Sequence, residues 1–207
     1  MGPLVERLAW FVPFLLSLAV HEWAHAWTAN RLGDDTARLM GRMRLDPLVH
    51  LDWVGTVLLP LLGVPVGWAK PVPVNPLRFK GVHQDVGMLL AAAAGPASNL
   101  VLALLAALLH RLLALGPGGA LLDGARALLA MAVPLNLALA AFNLLPIPPL
   151  DGGRVVDALV PYRQRAAWAQ LQRVGPFVLA ALLVGAEVLG VGPLSGLQGL
   201  SRRLLGG

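Results

Sequence analysis

Near the start of the chain, His21-Glu22-Trp23-Ala24-His25 sets two imidazoles four residues apart, with a carboxyl beside the first. On a helix, residues four apart share a face, with Cβ atoms about 5–6 Å apart. Both rings can then reach one Zn²⁺ ion at about 2.0–2.1 Å. Glu22, next to the first ring, is placed to act as general base toward water activated by such an ion. The chemistry this spacing points to is metal-assisted hydrolysis.

The setting of the motif favours that reading over a chance match. Leu8 to Asn30 carries no other charge than Glu22. An unpaired charge in the middle of a membrane helix costs at least ~2.5–3.5 kcal/mol, and a divalent cation supplies the partner. A catalytic zinc usually has three protein ligands. The chain has no cysteine, so the third must be His, Asp or Glu. His50, His83 and His110 fall at loop or helix ends and read as interfacial residues. Glu187 stands alone in the last apolar stretch and reads as a buried or solvent-reaching carboxylate. Asp151 closes the charge-free run 127–150, inside Asn143-Leu-Leu-Pro-Ile-Pro-Pro-Leu-Asp-Gly-Gly. On spacing alone it has two readings: a metal ligand, or the N-cap of a helix that resumes after the proline break.

These residues must be positioned by membrane elements. The 207 residues are 57% hydrophobic and only 13% charged, where a soluble domain has about 25% charged. Disorder is excluded, since it needs low hydrophobicity and high charge. The net charge of +5 does not indicate nucleic acid, because the basic residues sit in short segments between apolar stretches, as in a polytopic membrane protein. Four stretches, 8–30, 86–110, 127–150 and 174–201, have the length of spanning helices, about 17–25 residues. The first leads into the His-Glu motif rather than a small-residue cleavage site, so it reads as a retained helix. A fifth, 53–69, is interrupted by Pro60, Pro65 and three glycines, which argues for a re-entrant or half-membrane element. Residues 70–80 carry three prolines, which allow an extended edge strand but no helix. The expected fold is thus an all-α polytopic membrane protein of one domain, residues 1–207. It has about four spanning helices, a re-entrant element and a small extended or β segment.

Charge distribution bears on the topology. With all five segments spanning, the 16 Lys and Arg divide evenly between the two sides. With 53–69 re-entrant, eleven of the 16 fall on one side, and the positive-inside rule makes that side cytoplasmic and the N-terminus external.

The chain resembles the site-2 proteases, a family of intramembrane zinc metalloproteases. The likeness runs from about residue 8 to 160 in three ordered parts: His21 to His25, Gly95-Pro96-Ala97-Ser98-Asn99, and Asn143 to Gly153. Gly67 to Pro76 is similar to the compact bacterial branch, and no PDZ or CBS domain accompanies it. The resemblance implies that His21, His25 and Asp151 bind one Zn²⁺ and that Glu22 is the base. By the same resemblance, Asn143 and Asn99 assist catalysis by holding substrate backbone or the oxyanion. It further implies a membrane protein substrate, the lipid bilayer as partner, and a multi-pass place in a bacterial inner membrane with the site toward the cytoplasm. From the residues alone, Asn99, Asn136 and Asn143 have a plainer role as polar glue between helices. The rival functions are a transporter or metal-handling membrane protein, whose ionisable residues would mark an ion path, and an inactive scaffold of the same family. One geometric test links motif and topology. If every segment spanned, the ends carrying His25 and Asp151 would face opposite sides of a core about 30 Å thick, and no single ion could join them.

Overall fold

The computed structural model describes residues 3–58, 69–188 and 197–206, and every regular element among them is helical. The helices are α1 (Pro3–Arg31), α2 (Thr36–Leu39), α3 (Gln84–Ala114), α4 (Ala120–Asn143), α5 (Asp151–Leu159), α6 (Arg165–Val188) and α7 (Leu197–Leu205). Gln84–Ala114, Ala120–Asn143 and Tyr162–Gly185 are long and apolar enough to cross a membrane. That makes three among the described residues, where the sequence suggests about four. The remaining long helix, α1, has 29 residues and carries His21, Glu22 and His25. Of the stretch 53–69, Trp53–Leu58 forms a π-helical turn, and residues 59–68 lie outside the described residues.

Helix α3 is the hub, packing against α1, α4, α5 and α7. Its buried face is a stripe of small residues, with Ala91, Gly95, Asn99, Ala103 and Ala107 recurring every fourth position. Lipid is as apolar as leucine, so membrane helices gain by close van der Waals packing and interhelical hydrogen bonds, and small residues permit the approach. Gly95 shows the limit of that approach. A Cβ there would fall on the rings of His25 and His21. Pro13, Pro96 and Pro134 lie inside these helices, a tolerance that buried neighbours make possible.

Helix α4 stops at Asn143, and Pro146, Pro148 and Pro149 keep it from continuing. The chain turns and starts α5 at Asp151, packed on α3. The turn closes tightly over Gly152, where the carbonyls of Leu144 and Leu145 occupy the space a Cβ would need.

The expected β segment is corrected. Residues 70–80 pair with no strand among the described residues and include a 3-10 turn at Pro76–Arg78. An edge strand needs a neighbouring strand, and here the backbone N–H groups are engaged elsewhere. Lys70 donates to the carbonyl of His50 at 2.9 Å, and Lys80 to that of Leu32 at 2.7 Å. Val72 donates to Glu22 Oε2 at 2.9 Å, and Asn75 to Asp34 Oδ2 at 2.6 Å. Pro71, Pro73 and Pro76 have none to give. The segment is a strap laid across the end of α1.

Candidate metal centre

Two helices meet at one buried point. His21 and His25 project from the C-terminal third of α1, and Asp151 opens α5. All three are buried, and one ligand atom from each lies within 4.8 Å of the others. His21 Nε2 is 3.0 Å from Asp151 Oδ2, His25 Nε2 is 3.0 Å from His21 Nε2, and His25 Nε2 is 3.2 Å from Asp151 Oδ2. Ligands about 2.0–2.1 Å from a tetrahedral ion lie roughly 3.3 Å from one another, so this triangle is close to the size a zinc site requires.

The protonation chemistry of the three atoms also fits a cation. His25 Nδ1 faces the carbonyl of Ala91 at 2.7 Å. A carbonyl only accepts, so Nδ1 carries the hydrogen and the neutral ring presents Nε2 as a bare lone pair. Asp151 Oδ2 faces the same point, and a carboxylate oxygen accepts. A bare Nε2 and an ionised Oδ2 3.2 Å apart are two acceptors, an arrangement that a cation between them would relieve. The other oxygen, Oδ1, is 3.6 Å from Arg154 Nη1, one turn along α5.

The alternative reading of Asp151 as an N-cap does not describe its place. Leu150 is the cap residue and no side chain caps the helix. Asp151 is the first helical residue, and its carboxylate is turned to the histidines.

Glu22 is buried beside this cluster, with Oε2 accepting from Val72 N–H at 2.9 Å. The strap thus reaches the one carboxylate of the motif that is not in the triangle. Asn99 is fully buried, its Oδ1 2.6 Å from His21 Nδ1. Asn143 is half-buried at the end of α4, and its Nδ2 donates to the carbonyl of Leu139 at 3.0 Å. Of the two asparagines, only Asn99 is hydrogen-bonded to the triangle.

The other histidines lie apart from it. His50, expected at an interface, is fully buried, and its Nε2 donates to the carbonyl of Arg44 at 2.9 Å. His83 caps α3 through Asp85 N–H, and His110 lies 3.1 Å from the carbonyl of Arg126. Two polar residues that the sequence did not mark for the site stand behind it. Asn136 Oδ1 accepts from Asn99 Nδ2 at 2.9 Å, and Asn136 Nδ2 donates to Ser17 Oγ at 2.9 Å. The available signal was position: Ser17 lies one turn before His21, and Asn136 is one of two polar residues in the charge-free run 127–150.

Comparison with known proteins points the same way. Residues 110–186 match the model of peptidase family M50. YwhC of Bacillus subtilis (strain 168), named a zinc metalloprotease, is 41% identical over 176 residues, covering 84% of this chain and 78% of that protein. Rip2 of Mycobacterium tuberculosis (strain H37Rv), also named a zinc metalloprotease, is 35% identical over 172 residues, 83% of this chain and 63% of that protein. No solved structure matches. Likeness of that depth over most of both chains, added to three metal-binding atoms converging beside a buried glutamate, means that this chain belongs to peptidase family M50.

Proposed function

We propose that the protein is an intramembrane zinc metalloprotease that hydrolyses peptide bonds of membrane-spanning or membrane-associated proteins. The observation that carries this reading is the triangle of His21, His25 and Asp151 with Glu22 beside it. Three protein ligands leave a fourth position for substrate or water, the mark of a catalytic rather than a structural site. When bound, zinc supplies a Lewis acid that makes water nucleophilic at neutral pH and polarises the scissile carbonyl.

The chain's own groups do the rest. Glu22 takes the proton of the attacking water and returns it to the departing amine as the C–N bond breaks. Its Oε2 is held by Val72 N–H, so the proton passes through the other oxygen. Asn99, whose Oδ1 is directed at His21, serves the site by holding that ring, and Asn143 serves it from the substrate side. Residues 70–76 offer the substrate extended backbone. The carbonyls of residues 71–74 and the N–H of Val74 are the groups for that contact, since the N–H groups of Lys70, Val72 and Asn75 and the carbonyls of Lys70, Asn75 and Pro76 are engaged.

The topology follows the same reading. Helix α1 is a fourth span, residues 53–69 re-enter, and the whole chain forms one domain of a bacterial inner membrane. Two observations support it. His25 at the end of α1 bonds Ala91 near the start of α3, so the connection between these helices begins and ends at one end of the bundle. Trp23 and Trp27 stack at 5.9 Å, with the Arg31 guanidinium 5.1 Å over Trp27, the kind of aromatic and basic anchor that membrane helices place at an interface. The eleven basic residues on that side make it cytoplasmic.

The test is cleavage of a single-span substrate by the full chain reconstituted in vesicles. Glu22→Gln is expected to lower the rate about 10²–10⁴-fold, the usual worth of a general base, with zinc content unchanged, and a chelator is expected to abolish cleavage. Full cleavage by Glu22→Gln would overturn the reading in favour of a metal-handling protein.

A further inference from the structure

We propose that Asn136, on α4, is a positioning residue of the metal centre: acting through Asn99, it decides which nitrogen of His21 carries a hydrogen. The inference rests on the zinc reading above and extends it to residues remote from the ion.

The argument lies in the direction of a chain of hydrogen bonds. Asn136 Nδ2 donates to the carbonyl of Ala132 at 2.9 Å and to Ser17 Oγ at 2.9 Å. Asn99 Nδ2 donates to Asn136 Oδ1 at 2.9 Å. Asn99 Oδ1 then meets His21 Nδ1 at 2.6 Å. Every member is buried: Asn99 is 0% exposed, Asn136 1%, Ser17 3% and His21 5%.

Each link constrains the next. The Ala132 carbonyl can only accept, so the end of the Asn136 amide that faces it is the NH₂ group. The opposite end, the oxygen, must face Asn99, and Asn99 must answer with its own NH₂ group. That leaves the Asn99 oxygen toward His21. An amide oxygen accepts and never donates, so His21 Nδ1 carries the hydrogen. Nε2 is left as a bare lone pair aimed at His25 Nε2 and Asp151 Oδ2. Turning either amide over would set oxygen against oxygen or NH₂ against NH₂ among buried groups, where an unpaired polar group is costly. A polarity set by the α4 backbone is thus carried across α3 to a ring on α1. The Ser17 hydroxyl, which can donate or accept, completes the chain without setting its direction.

Polar residues that merely hold helices together need hydrogen bonds but no direction. Here the direction matches what a metal requires of both rings. His25 reaches the same tautomer in a single step, through the Ala91 carbonyl. His21 Nδ1 is instead paired with Asn99 Oδ1 and obtains its acceptor through two asparagines.

The experiment uses the full chain in nanodiscs, comparing wild type with Asn136→Leu and with Asn136→Ala, which adds no volume. Zinc affinity is measured by competition with a chromophoric chelator. The tautomers of ¹⁵N-labelled histidine in the metal-free protein are read by NMR, with His21 assigned by replacing it. The variants are expected to bind zinc about tenfold more weakly, the lower end of the 10–100-fold effect of removing a residue that orients a metal ligand. His21 is expected to become a mixture of tautomers while His25 stays protonated on Nδ1. In an Asn99→Leu background, Asn136→Leu is expected to have no further effect on zinc affinity. A folded Asn136 variant with wild-type zinc affinity and an unchanged His21 tautomer would overturn the proposal, as would losses that simply add in the double variant. Failure of the wild type to take up zinc would instead count against the metalloprotease reading, and the tautomer measurement would still decide the role of Asn136.

Discussion

The two walls of the metal centre are built on opposite plans. The helical wall, from α1, α3, α4 and α5, presents side chains to side chains. His21, Asn99, Asn136 and Asp151 are all buried and joined across four helices. The strap of residues 69–80 presents backbone to side chains. Its N–H groups go to the carboxylates of Glu22 and Asp34, and Arg42 Nη2 fastens it again by donating to the Lys70 carbonyl at 2.7 Å. Its outer residues, such as Leu77 at 76%, are exposed. Under the proposed function the difference suits two tasks. Groups that hold an ion must stay within tenths of an ångström, as close-packed helices allow. A segment offered to substrate must be able to yield, which suits a strap pinned at a few points.

Three substitutions probe that contrast. The largest effect is expected from Asp151→Ala, which removes one of the three proposed ligands from the helical wall. Zinc affinity should fall by more than the ~10–100-fold typical of residues that only orient a ligand, measured as metal retained after chelator dialysis. A variant with normal zinc content would remove Asp151 from the site.

Gly95→Ala is expected next. The added Cβ has no room against the histidine rings, where the nearest His21 atom would be 2.7 Å away. Overpacking of this kind costs about 1–3 kcal/mol, to be read in thermal or denaturant unfolding. Zinc binding should weaken with it, because the displaced groups are the proposed ligands themselves. Wild-type stability together with wild-type zinc affinity would show that this wall is looser than its geometry indicates.

The smallest effect on the metal is expected at the strap. Asp34 is fully buried and accepts from Asn75 N–H, Thr36 N–H and Thr36 Oγ1. Asp34→Ala leaves those donors unsatisfied, at about 1–3 kcal/mol. Hydrogen exchange at Val72 and Asn75 should quicken and the KM for substrate should change, while zinc affinity stays that of the wild type. Loss of zinc in this variant would mean that the two walls are one mechanical unit.

How much of this could be read beforehand follows from how local each feature is. The pairing of His21 with His25 is a property of any helix, since residues four apart share a face, and it was readable in five letters. The break after Asn143 was readable too, because Pro146, Pro148 and Pro149 cannot continue a helix. The strap's prolines allow an extended edge strand, yet it pairs with no strand among the described residues. Proline content says what a segment cannot be, but it does not say whether a partner strand exists.

The sequence by itself determined the membrane class, the donor types open to a metal and the placing of a glutamate beside the first histidine. Absent cysteines and few charges left His and carboxylate as the donors available. Tertiary structure decided which carboxylate stands with the two histidines. Asp151 lies 130 residues from His21, and its neighbourhood in sequence suits a helix cap as well as a ligand, so only the packing of α5 on α3 distinguishes the two. Tertiary structure also decided that Val72 holds Glu22. That contact uses a backbone N–H, a group every non-proline residue carries, and so it leaves no signature in the choice of amino acid.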